Sequence, residues 1–132
     1  MDKVNLQQAF ATFSEAWAPR VIGAVNDVDV KLARLDGAFV WHRHPDADEL
    51  FFIVSGELEM RFRDRSITLR PGELLVVPRG VEHQPVTVGG PCQVMLVEPR
   101  GTLNTGDAPE NERTVRVPER LGPAAAASSQ DA

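Results

Sequence analysis

Cysteine occurs once, at position 92. A lone cysteine excludes an intrachain disulfide, and a reducing cytoplasm is the expected compartment. No apolar run approaches the ~20 residues that a membrane-spanning helix needs. The opening residues, MDKVNLQQAF, lack the apolar stretch of a secretory signal. A basic excess is also missing: 14 lysines and arginines stand against 19 acidic residues, a formal net charge of −5. Nucleic acid and membrane surfaces both reward a basic face, so neither is an expected partner.

What is present fits one soluble domain. A chain of 132 residues, 42% hydrophobic, can bury a core without covalent staples. Ten glycines and ten prolines favour many turns and short strands over a helical bundle. Val28, Val30 and Leu32 alternate with Asp29, Lys31 and Ala33 after an Asn26-Asp27 turn. Further strands are expected at 38–44, 49–54, 58–63, 67–69, 74–77, 81–88 and 93–97. Turn chemistry separates them, notably at Ser55-Gly56, Pro71-Gly72 and Arg79-Gly80. Gly56 and Gly72 read as hairpin corners with positive φ. This texture predicts an all-β sandwich or barrel.

One short helix is predicted over 5–17. Leu6, Ala9, Phe10, Phe13, Ala16 and Trp17 follow its periodicity, Asn5 caps it and Pro19 stops it. Its apolar stripe is expected to pack on the barrel or on a second subunit. Residues 101–118 are polar and read as a loop or an ordered excursion. Residues 1–117 are expected to form one domain and 118–132 a disordered tail.

The chain has three histidines. His42 and His44 are two apart, which in a strand puts both imidazoles on one face. Ala38 and Val40 are expected to share that face, with Phe39, Trp41 and Arg43 opposite. After the Pro45–Asp48 turn, Glu49 opens the next strand, on the face of Phe51 and Ile53. A buried carboxylate without a partner is costly, and a cation is the obvious remedy. His83 can reach the same point from another strand if the barrel closes. Three imidazoles and one carboxylate suit Mn, Fe, Co, Ni, Cu or Zn better than Mg or Ca. An octahedral ion so held keeps two positions for substrate or dioxygen.

These residues carry a resemblance. Gly37-(x4)-His42-Arg43-His44-(x4)-Glu49-(x6)-Gly56 resembles the first motif of the cupin superfamily. Gly72-(x5)-Pro78-Arg79-Gly80-(x2)-His83 resembles the second, with Thr87 where the pattern often has Asn. The resemblance implies a small cupin-type jelly-roll β-barrel of phosphomannose-isomerase-like type, with a short N-terminal helix. It implies one divalent transition metal ion on His42, His44, Glu49 and His83. Implied functions are a metal-dependent enzyme on a small polar molecule, isomerase-like or dioxygenase-like, or a non-catalytic binding or sensor protein. In an enzyme, Glu49 is the candidate catalytic residue, staying a ligand or moving a proton.

The remaining residues read more plainly. Arg43, Arg61, Arg63 and Arg79 are expected as solvated outer charges, with an anion-binding rim as the alternative. Trp41 faces away from the histidines, and Cys92 has nothing to activate it. Glu98 is a candidate for the cavity mouth, although next to Pro99 alternation does not say which side it takes. Exposed sheet edges and the apolar segment 5–35 point to a homodimer.

Overall fold

The computed structural model describes residues 2–121. The architecture is a two-sheet jelly-roll barrel. One sheet has six strands: β1 (Arg20–Val25), β2 (Val28–Leu35), β3 (Glu49–Ser55), β6 (Leu74–Val77), β8 (Cys92–Pro99) and β9 (Glu119–Arg120), in the order β6-β3-β8-β2-β1-β9. The other has three: β4 (Leu58–Arg61), β5 (Ser66–Leu69) and β7 (Gln84–Thr87), in the order β5-β4-β7. Ile53 and Val94 from the larger sheet meet Leu58, Met60 and Leu69 from the smaller in one apolar core. The alternation read from sequence explains the match. In β3, Glu49, Phe51 and Ile53 face inward, and in β4 Leu58 and Met60 do so while Glu59 and Arg61 look outward. Burying each such large apolar side chain contributes roughly 1.5–3 kcal/mol.

The strand β1 has no counterpart in the sequence reading. Its register shifts between Val21 and Gly23, and a bulge of that kind erases the period of two that would reveal it. A hairpin joins it to β2 through Asn26-Asp27, with Asn26 at φ 54°.

The helix is shorter than predicted. α1 spans Leu6–Phe10, with Asn5 Oδ1 accepting from Gln8 N at 3.0 Å as the expected N-cap. Arg34 explains the early end. Its guanidinium takes the carbonyls of Phe10 at 2.6 Å and Phe13 at 2.8 Å. The chain then turns to lie beside β2, where Trp17 N donates to Arg34 O at 2.7 Å. Tertiary hydrogen bonds outbid a periodicity that is weakly helical on its own.

The segment 38–44 also departs from expectation. It makes isolated bridges rather than a strand: Ala38 with Val86 and His42 with His83. Four steps from 38 to 42 face three steps from 86 to 83, so this segment carries one extra residue. The extra residue reverses the alternation. Phe39 is buried beside His42, while Ala38 is exposed. The expectation that Ala38 shares the histidine face with Phe39 opposite is therefore corrected.

Gly56, at φ 85°, turns β3 into β4. A Cβ there would lie 2.7 Å from Pro91 O and 2.9 Å from Cys92 Cα, so only glycine fits. Glu119 and Arg120, placed by the sequence in the tail, pair in parallel with β1. Leu121 follows them, its N donating to Val21 O at 3.0 Å, and residues 122–132 of the expected tail lie outside the described residues.

Candidate metal centre

Three local devices deliver the four members of the candidate site. Glu49 sits at the start of β3, on its inward face. His42 and His83 pair in an isolated antiparallel bridge, exchanging backbone hydrogen bonds of 3.0 and 2.9 Å. Gly80 N donates to His44 O at 2.9 Å, and Arg79 N to Asp48 Oδ1 at 2.9 Å. The two motif loops are thus tied together behind the histidines.

One potential ligand atom from each of His42, His44, Glu49 and His83 lies within 4.8 Å of the others, and all four residues are buried. His44 Nε2 stands 3.2 Å and His83 Nε2 3.7 Å from Glu49 Oε1. None of these three atoms has a hydrogen-bond partner. His42 Nδ1 and His83 Nδ1 lie 2.9 Å from the carbonyls of Val40 and Val81. A carbonyl there fixes the proton on Nδ1 and turns the Nε2 lone pair toward the cluster, which is how ligating imidazoles are usually braced. Burial, then the neighbouring His83, lowers His42 to about 4, so it is a neutral donor near pH 7. Burial works to raise the Glu49 pKa, but the adjoining His44, His83 and Glu98 side chains hold it well below the usual carboxylate range. Unpartnered lone pairs converging on one buried point fit a divalent transition metal ion, and the four residues could hold one.

A loop that the sequence left undefined braces this site. Asp107 N donates to Arg43 O at 3.0 Å, and Asp107 Oδ1 accepts from Arg43 N at 2.8 Å. Gly106, at φ 55°, lies against the same backbone; a Cβ there would meet Arg43 O and come within 2.9 Å of His42 Cδ2. Thr87 has a structural role: its Oγ1 accepts from Gly37 N at 2.7 Å and its N donates to Gly37 O at 2.9 Å.

A narrow cavity of about 30 Å³ opens beside His42 and Glu49, walled by Trp17, Leu35, Phe39 and Leu96. Trp17 stacks on Phe39 with centroids 4.6 Å apart. Glu98 lines it too, on the inward face of β8, joined to buried Lys31 at 2.9 Å. Burial and the nearby Glu49 push the Glu98 pKa well above the usual range, against the pull of Lys31. Sequence reasoning offered Glu98 at the cavity mouth but missed Lys31 as its partner, although counting in twos from Cys92 reaches Glu98. Trp41 lies under Arg63, 3.8 Å from guanidinium carbon to ring centroid. Arg43, Arg61, Arg63 and Arg79 are each ion-paired to a surface carboxylate, which fits solvated outer charges better than an open anion rim. Cys92 is buried, and burial pushes its thiol up to about 11.

Comparison with known proteins follows the same lines. The model of the cupin domain family matches residues 30–98. The crystal structure of a cupin-2 domain containing protein from Shewanella frigidimarina superposes with a TM-score of 0.71 at 45% identity, covering 74% of this chain and 94% of that one. An uncharacterized protein of Bacillus subtilis, YdbB, is 42% identical over 64 residues, 48% of this chain and 57% of its own. An auxin-binding protein of Prunus persica is 35% identical over 89 residues, 61% of this chain and 42% of its own. The chain thus spans about half the length of the curated relatives it matches.

Proposed function

This chain belongs to the cupin domain family, and from that premise we propose that it is a metal-dependent enzyme acting on a small polar molecule. His42, His44, Glu49 and His83 are the ligands of one divalent transition metal ion. The observation that supports this reading is the buried convergence of four donor atoms within 4.8 Å, three of them without any other partner. Bound there, such an ion supplies Lewis acidity or dioxygen activation, the chemistry of a sugar-phosphate isomerase-like or a dioxygenase-like reaction. The chain's own residues do the rest. His42 and His83 are oriented by the carbonyls of Val40 and Val81 at their Nδ1 atoms. Trp17, Phe39 and Leu96 keep bulk water from the approach. Glu49 is the acid–base candidate, staying a ligand or releasing to move a proton.

A second reading has its own support: a relative is named as an auxin-binding protein. In that reading the same centre holds a small ligand without turning it over. One experiment separates the two. Protein purified without chelator is assayed for metal, then screened on sugar phosphates and for oxygen uptake with Fe(II). Turnover supports the enzyme; tight binding without turnover supports the binding protein. We expect about one ion per chain, and His83→Ala should lose most of it while its circular dichroism stays that of a folded β protein. Parental metal content in that variant removes His83 from the ligand set.

A further inference from the structure

Among the polar side chains that line the cavity outside the four-residue cluster, one keeps an oxygen without a hydrogen bond. His42 and Glu49 belong to the four-residue cluster. Trp17 donates its indole N–H to Asp36 O at 2.9 Å. Asn104 donates to Arg113 O at 2.6 Å and accepts from Val115 N at 2.8 Å. Glu98 remains. Its Oε1 accepts from Lys31 Nζ at 2.9 Å, but its Oε2 is buried near the Glu49 side chain and makes no hydrogen bond. The residue is only 2% exposed. A carboxyl oxygen withdrawn from water and left unpaired is costly, so something that hydrogen-bonds is expected against it. The sheet holds this atom firmly. Glu98 faces Asp29 in the β2–β8 register, and Lys31 lies two residues along the same inward face.

We propose that Glu98, fixed by Lys31, is a second anchor for the ligand of the metal centre, and that it receives the hydroxyl of a small α-hydroxy carbonyl compound. This rests on the metal-centre reading above. A ligand here presents one oxygen beside His42 and Glu49 and a second polar group to Glu98, so its two polar groups sit close together. Its remaining carbons meet Trp17, Leu35, Phe39 and Leu96. A cavity of about 30 Å³ admits only a few atoms. A hydroxyl next to a carbonyl on a short carbon chain meets all three conditions.

The test uses the full chain loaded with cobalt(II), titrated with hydroxyacetone and with acetone, which lacks the hydroxyl; visible absorption of the cobalt reports binding. Hydroxyacetone should bind at least about fivefold more tightly, the size of one hydrogen bond. In the double variant Glu98→Leu/Lys31→Met both charges are removed together, so neither is stranded. Its cobalt stoichiometry should match the parent and its preference should fall to about twofold or less. Equal binding of the two probes by the parent overturns the proposal, as does a preference that survives in the double variant. Cobalt loss from a folded double variant also overturns it, making Glu98 a brace for Glu49. If the double variant does not fold, Glu98→Gln decides: it keeps the shape and the bond to Lys31, and an unchanged preference overturns the proposal. A parent that binds no cobalt at all sinks the metal-centre reading, and this one with it.

Discussion

At the scale of single residues, spacing carried much of the site and burial supplied what spacing could not. The His42–His44 interval, Glu49 at the head of an apolar strand and His83 after Pro78-Arg79-Gly80 were visible as text, and the fold brings the four side chains together. The pairing of Lys31 with Glu98 was not visible. An inward charge looks like an outward one until the partner across the sheet is known, and these two meet from positions 67 apart. Burial also sets a pH dependence. His42 is lowered from 6.5 to about 4, first by desolvation and then by His83. Between those values the unfolded chain binds a proton at this position and the folded chain does not, so acid favours unfolding. Metal-free protein should therefore lose stability as pH falls from about 6.5 to about 4, by about 3 kcal/mol from this residue. Below about 4 both states are protonated and this contribution stops changing. Urea melts of metal-free parent and His42→Gln across that range check it: the variant should show a shallower fall, and parallel curves would remove His42 as the cause.

At the scale of elements, regular strands were legible and irregular ones were not. β3, β4, β6 and β8 follow the period of two and appear close to where the sequence places them. The extra residue between Ala38 and His42 defeats the same rule, because one inserted step exchanges inside for outside. The loop after β8 was illegible for another reason: polar segments show no period whether they are loose or pinned. Here it is pinned, with Thr105 fully buried and Asp107 bonded twice to the Arg43 backbone. Gly106 makes that closeness possible, since any Cβ would strike the peptide beside His42. Gly106→Ala should push the loop away and loosen the histidine segment. We expect cobalt affinity about tenfold weaker, in line with losses at other outer supports of metal sites, with little change in strand content. A competition titration against a chromophoric chelator measures it; parental affinity would show that the loop packs on the site without bracing it.

At the scale of the whole molecule, the outer face of the six-stranded sheet is unevenly covered. Over β2 and β8, the chain covers itself: Ala9 and Phe10 of α1 pack on Leu32, with Ile22, Val54 and Met95 around them. The N-terminal segment expected to seek a second subunit thus finds much of its cover within its own chain. The opposite end is bare. β6 is the last strand of its sheet, bonded to β3 on one side only among the described residues. Leu74 is 56% and Val76 47% exposed. An apolar edge strand left open invites pairing with another chain, and neither Pro nor charge within β6 guards it. The far edge differs, ending in Glu119 and Arg120. We propose that the expected homodimer forms on β6, where two copies would cover Leu74 and Val76 together and leave the cavity beside His42 untouched. Val76→Lys should convert a dimer to a monomer with metal content unchanged, because it puts one charge per copy into the shared edge. Light scattering with metal analysis on the same fractions decides it. A parent already monomeric, or a variant that stays dimeric, removes β6 as the interface.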